Sequence, residues 1–160
     1  MKTVYLETSF VSYLVSEPGR DVIVAGHQAI TREWWQFERH KFTCFVSQVV
    51  RDEASLGDAE QVRRRLDAIA QLAELPALPA AESLTMALVE SGVFPAKAVR
   101  DAAHVAIAAA AGVDYVLTWN CKHLANEQVR RRAAEIVAAR RLQMPKICTP
   151  EELLSYEEKD

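Results

Sequence analysis

Short apolar runs alternate with amphipathic segments along the chain. Thr3–Leu6 reads as a first strand, and it lacks polar alternation, as expected of a strand buried on both faces. Ser9–Leu14 predicts a short helix, followed by a Pro18-Gly19 turn. Asp21 caps a long helix expected to reach about Arg39, with Val22, Ala25, Ala29, Trp34 and Phe37 among its apolar positions. Lys41–Val46 is the second strand. Ser47 caps the next helix, which carries Val49, Val50 and Glu53 and stops at Gly57. Asp58 with Gln61 has capping-box spacing for a helix to about Ala73.

Leu75–Leu78, flanked by Pro76 and Pro79, predicts a weak strand. Ala81–Glu90 predicts a helix stopped by Gly92, and Ala96–Ala111 a second one closed by Gly112. Tyr115–Thr118 is a strong strand. Asn126 caps a charged helix to about Leu142, and Lys146–Cys148 predicts a last edge strand. Thr149, Pro150 and Glu152 then open a short terminal helix with proline at its first position. Strands that alternate with helices predict a parallel sheet with right-handed crossovers. The fold expected is a three-layer α/β/α sandwich around four to five parallel strands, a single domain over residues 1–160.

Composition narrows the function classes. The formal net charge is -3, so nucleic-acid binding requires local basic patches and not a general positive field. Cys44, Cys121 and Cys148 form no close pair, which argues for a reducing compartment and against a disulfide framework. Cys121 and His123 lack the second ligand pair of a zinc finger. There is no signal-peptide pattern and no apolar run near the roughly 18 residues that span a membrane, so a cytoplasmic protein is expected.

The candidate chemistry is acidic. Ligands of open α/β sheets bind at the carboxyl ends of the strands. Glu7 directly follows the first strand, and Asn120 follows the Tyr115–Thr118 strand with only Trp119 between. Glu53 lies in the helix after the second strand, and Asp101 opens the long Ala/Val/Ile-rich helix. A carboxylate beside so apolar a face is costly without a compensating charge or hydrogen bond. Several acids that converge repel one another unless a cation joins them. Oxygen ligands of this kind suit Mg²⁺ or Mn²⁺. Taken singly, each acid also fits a cap, a surface charge or a salt-bridge partner.

Four runs carry a family resemblance: Val4–Leu14, Val46–Glu53, Asp101–Ala108 and Leu117–Leu124. Together, and in this order, they resemble the motifs of the PIN domain, most of all its VapC-type toxin branch. The resemblance implies a metal-dependent ribonuclease, the toxin of a toxin–antitoxin pair, working as a homodimer with RNA as substrate. It also implies a small antitoxin that blocks the acidic pocket. It makes Glu7, Glu53, Asp101 and Asn120 the catalytic positions, with Glu7, Asp101 and Asn120 holding Mg²⁺ or Mn²⁺. Two positions depart from the family pattern. Glu7 replaces the usual aspartate and is one methylene longer, and Asn120 replaces the usual last acid and brings no charge. Both changes weaken metal binding and raise an alternative, a PIN module that binds RNA or a protein without cutting. An unrelated Mg²⁺-dependent phosphohydrolase is a third reading, disfavoured because such enzymes often use an aspartyl nucleophile.

Thr8, Ser9 and Thr118 place hydroxyls at the same edge, able to bind a phosphate or to orient a carboxylate. His104, three residues after Asp101, lies on nearly the same helix face. It is either a contact to substrate or a core histidine bonded to Asp101 or to backbone. The runs Arg63–Arg65, Arg130–Arg132 and Arg140-Arg141 are either solvated helix faces or RNA-backbone contacts. Of the adjacent Trp34 and Trp35, one is expected in the core and the other at an interface.

Overall fold

The computed structural model describes residues 1–157. Five strands form one all-parallel sheet: β1 (Lys2–Leu6), β2 (Phe42–Val46), β3 (Ala73–Glu74), β4 (Tyr115–Leu117) and β5 (Lys146–Cys148). Their order is β3-β2-β1-β4-β5. β1 is therefore central, and Val4, Tyr5 and Leu6 are fully buried. Its register pairs Val4 with Cys44 on one side and Leu6 with Leu117 on the other. The chain moves outward through β2 and β3 on one side and through β4 and β5 on the other. The boundary between β1 and β4 is thus the topological switch point, the place where open α/β sheets bind their ligands.

The helices are α1 (Thr8–Val15), α2 (Val22–Glu33), α3 (Gln48–Ala54), α4 (Ala59–Ile69), α5 (Pro79–Glu90), α6 (Val99–Ala111), α7 (Glu127–Ala139) and α8 (Pro150–Glu157). The caps read from the sequence form. Asp21 accepts the amides of Ile23 and Val24, Ser47 that of Val50, Asp58 that of Gln61, and Asn126 those of Gln128 and Val129. Thr149 and Glu152 cap each other reciprocally, amide to side chain, at 3.1 and 3.2 Å. Gly112 ends α6 in the left-handed region, φ 70°.

Three expectations are corrected. The weak strand lies at Ala73–Glu74, earlier than Leu75–Leu78. Leu75 still donates its amide to the Val46 carbonyl, but Pro76 has no N–H with which to extend the ladder. Helix α4 accordingly stops at Ile69. The long helix from Asp21 does not reach Arg39 as an α-helix. It becomes a π-helical turn over Trp34–Glu38, then a 3₁₀ turn over Arg39–Lys41. The wider turn lets two adjacent tryptophans face one ring: Phe10 lies 5.5 Å from Trp34, edge-on, and 6.3 Å from Trp35. Trp34 is fully buried. Trp35 also packs on the core and is covered by the Arg39 guanidinium at 4.0 Å, so it is not a bare interface residue.

The buried apolar side chains form one contiguous cluster around β1, β4 and the inner faces of α5 and α6. Leu84 in α5 is fully buried, whereas Leu56, in the turn after α3, is 56% exposed. Leu84→Ala is expected to cost about 2–5 kcal/mol of unfolding free energy, and Leu56→Ala less than about 0.5 kcal/mol. Urea titration of both variants checks this. Equal losses would contradict the packing described.

Candidate functional site

Glu7 begins the site. It is the N-cap of α1, a position that glutamate seldom takes, and it is only 4% exposed. Its backbone continues the sheet, donating N–H to the Leu117 carbonyl at 3.0 Å, which fixes the residue at the switch point. One carboxylate oxygen, Oε2, accepts from the Ser9 amide at 3.0 Å, from the Thr118 hydroxyl at 2.7 Å and from the Ser9 hydroxyl. The other, Oε1, makes no hydrogen bond among the described residues. The side chain is thus oriented through one oxygen and offers the second.

Glu53, in the last turn of α3, is held similarly. Its Oε1 accepts from the Thr8 hydroxyl at 2.7 Å and lies 2.6 Å from Nε2 of His104. Its Oε2 is unbonded among the described residues. His104, on α6, is fully buried and stands between the two acids, its Nε2 3.8 Å from Oε1 of Glu7. One ligand-type atom from each of Glu7, Glu53 and His104 lies within 4.8 Å of the others.

A buried polar chain holds the imidazole from behind. Nδ1 of His104 is 2.6 Å from the Tyr5 hydroxyl, which is 2.7 Å from the Ser47 hydroxyl. Burial, then the charges of Glu7 and Glu53, push the Tyr5 phenol far above its usual range against the opposing Ser47 bond, so it remains a proton donor. Sequence reading missed Tyr5 and identified Ser47 only as a cap. The available signal was a phenol on a strand expected to be buried on both faces, because such a hydroxyl requires a partner.

Asp101 and Asn120 stand outside the group of three. Asp101, in the first turn of α6, is half-buried and forms no hydrogen bond or ion pair among the described residues. Burial first, then the charge of Glu7, raises its carboxyl above the ordinary aspartate value, against the pull of His104 and His123. It therefore shares the field of the cluster. The Asn120 oxygen accepts the His123 amide at 3.0 Å, closing the loop after β4, and keeps one lone pair for another donor or an ion. Its own amide donates to the Thr118 hydroxyl at 3.0 Å. Thr8, Ser9 and Thr118 all bond the carboxylates, the orienting role among those open to them. His104 pairs with Glu53 and Tyr5, and not with Asp101 or backbone.

The basic runs are largely engaged within the molecule. Arg63 bonds Glu60 and Asp67, Arg64 bonds Glu60 and Glu17, Arg65 bonds the Ala54 and Leu56 carbonyls, Arg130 pairs with Glu152, and Arg140 bonds Ser83. Closer to the site, Lys97, Arg100 and Lys122 are exposed, and the Arg100 charge favours ionised Glu53.

No protein-family model matches the chain, and no curated protein matches it in sequence. Among solved structures, the chain is similar to the crystal structure of VapBC2 from Rickettsia felis bound to a DNA fragment from their promoter. The TM-score is 0.56 at 15% identity, covering 92% of this chain and 98% of that one. The fold is PIN-like. At this identity the likeness bears on architecture alone, and the chemistry must be read from the residues. No described helix is long and apolar enough to cross a membrane.

Glu7, Glu53 and His104 are a group that could hold a metal ion, and Oε1 of Glu7 and Oε2 of Glu53 are carboxylate oxygens without hydrogen bonds among the described residues. The cluster also holds an imidazole whose charged form the acids favour. Burial opposes charging of His104, but the Glu53 bond and the charges of Glu7, Glu53 and Asp101 outweigh it and raise its pKa. Burial likewise opposes ionisation of Glu53, yet the bonds from His104 and Thr8 with the His104 and Arg100 charges hold it below its usual value.

A pH window for stability follows. The raised histidine contributes stability that is complete below its unfolded pKa, about 6.5, and is lost as pH rises through the folded value. The depressed glutamate contributes above its unfolded pKa, about 4.3, and loses this as pH falls through its folded value. Stability from the pair is therefore greatest between about pH 4.3 and 6.5. Urea titrations across pH are expected to show wild type losing stability above about pH 6.5 relative to His104→Gln. Parallel curves would contradict the pairing.

Proposed function

We propose that this chain is a metal-dependent endoribonuclease that hydrolyses RNA phosphodiester bonds, and that it is the toxin of a toxin–antitoxin pair. The observation that carries this reading is the meeting of Glu7, Glu53 and His104 within 4.8 Å, at the switch point of a PIN-like sheet. The sequence resemblance to VapC-type toxins supports the same reading. A homodimer and a small antitoxin that covers the acidic pocket belong to it, as do a single domain and a cytoplasmic location.

In this reading Glu7 and Asp101 would hold Mg²⁺ or Mn²⁺, Asn120 would complete the set, and Glu53 would hold a second ion or a metal-bound water. The chemistry such an ion supplies when bound is activation of water and stabilisation of the departing oxygen. Ser9 and Thr118 fix the rotamer of Glu7, and Thr8 fixes that of Glu53. His104 holds a proton at Nε2 toward Glu53 and keeps the two glutamates apart. Lys97, Arg100 and Lys122 attract the phosphate backbone to the mouth of the site. No covalent protein intermediate is required in this reading, and the sequence carries no Ser-His-Asp or Cys-His signature.

A second reading has its own support. The histidine placed between Glu7 and Glu53 offsets part of their charge when it is protonated, and Asn120 adds none. Both features favour a module that binds RNA or a protein partner without cleavage.

Cleavage of single-stranded RNA by the pure protein across a range of Mg²⁺ and Mn²⁺ separates the two. Asp101→Ala is expected to slow cleavage at least about 100-fold, and Thr118→Val, which removes one of the three hydrogen bonds that orient Oε2 of Glu7, about 10-fold. Equal cleavage by wild type and Asp101→Ala would overturn the nuclease reading. RNA affinity without turnover at any metal concentration would favour the second.

A further inference from the structure

Beside the acids lies an aromatic group to which the chemistry above assigns no role. Trp119 sits between Thr118 and Asn120, and its backbone amide donates to the same Ser9 hydroxyl that bonds Glu7, at 2.8 Å. Its indole is stacked on the His27 imidazole, centroids 4.1 Å apart and planes 13° apart. Tyr13 lies to the side of that pair, 6.4 Å from His27 and 6.1 Å from Trp119, with its plane within 30° of both. Three nearly parallel rings thus group around Trp119, whose backbone is tied, through Ser9, to the Glu7 carboxylate.

This group is rigid on one side and open on the other. Indole Nε1 donates to the Thr31 hydroxyl at 2.7 Å, and that hydroxyl donates to the His27 carbonyl at 2.6 Å, so α2 and the loop after β4 are locked together under the rings. Trp119 is buried, whereas His27 and Tyr13 are only half-buried and their ring heteroatoms make no hydrogen bond among the described residues. No other described ring covers the far face of the imidazole. Ile23, one turn away on the same helix face, is 69% exposed, and a side chain at Gly26 would meet open space. The rings therefore form a preorganised shelf on α2 and on the same two segments, α1 and the loop after β4, that hold Ser9 and Thr118 against Glu7, and it is bordered by exposed helix surface.

Flat rings next to a site for a phosphodiester fit one ligand group especially well. Unpaired bases stack on aromatic side chains in single-stranded RNA recognition, and stacking tolerates any base because every base has a π-face. A duplex keeps its bases inside and cannot use such a shelf. We infer that the His27–Trp119 pair, flanked by Tyr13, is a stacking subsite for an unpaired nucleobase next to the phosphate held at the acidic cluster. The inference rests on the reading of that cluster as an RNA site. It adds to that reading a base-stacking contact for one splayed-out nucleobase, and names His27 as the contact residue.

The test separates the subsite from the nuclease reading. Binding is measured in EDTA, by anisotropy of a labelled single-stranded RNA of about 8 nucleotides, against a series in which each position in turn carries an abasic ribose. Wild type is expected to lose affinity about 10-fold at one position and little elsewhere. His27→Ala is expected to bind the intact RNA about 10-fold more weakly and to show a flat abasic series, while His27→Phe restores both. A structural role for His27 would not produce position-specific discrimination, and the wild-type series stands as a test even if His27→Ala misfolds. A flat wild-type series, or no binding, overturns the subsite. Cleavage of the intact RNA in Mn²⁺ is scored separately. Asp101-dependent cleavage with a flat series leaves the nuclease reading standing and the subsite refuted. Discrimination without cleavage does the reverse.

Discussion

Two carboxylates that share a buried corner with one imidazole are the constraint on which the rest depends. Charge removed from water is costly unless it is paired and hydrogen-bonded, and like charges brought close make this worse. Here Glu7 is bonded through one oxygen by Ser9 and Thr118, Glu53 by Thr8 and His104, and the imidazole is held from behind by Tyr5 and Ser47. These partners come from several elements: Thr8 and Ser9 from α1, Tyr5 from β1, Ser47 from the end of β2, His104 from α6 and Thr118 from the end of β4. The cluster is consequently a junction where β1, α1, β2, α3, β4 and α6 must all be in register. One acid oxygen on each glutamate remains unbonded, which makes the junction suited to an ion as well as to holding the fold.

The sheet order makes that junction possible. With β1 at the centre and β4 beside it, Glu7 and Thr118 emerge at neighbouring strand ends, and the amide of Glu7 extends the ladder to Leu117. The crossovers from β2 and into β4 bring α3 and α6 to the same end, carrying Glu53 and the Asp101–His104 turn. Site and fold thus have one cause, the placement of polar groups just beyond an apolar strand at the switch point.

Much of this was legible in the sequence because it is local. The apolar run before Glu7, the caps at Asp21, Ser47, Asp58, Asn126 and Thr149, and the glycine after α6 each act within a few residues. Their positions therefore fixed the elements, and the elements brought the strand ends together. What was hidden depends on contacts between distant segments. The imidazole of His104 chooses Glu53 and Tyr5, which lie 51 and 99 residues away, over the nearby Asp101. The π-helical turn at Trp34 answers to Phe10 on another helix, and the third strand is displaced because Pro76 cannot donate to the ladder. The Asn120 oxygen looks like an ion ligand from its place after β4. Only the folded loop shows that it also accepts the amide of His123.

Direct metal binding tests the central claim most plainly. Isothermal titration of the wild-type protein with Mn²⁺, without RNA, is predicted to show stoichiometric binding that Glu7→Gln weakens at least about 10-fold, since one coordinating charge is lost while the Ser9 and Thr118 contacts can persist. Absence of Mn²⁺ binding by wild type, or binding that Glu7→Gln leaves unchanged, would contradict the claim that these acids form a cation site.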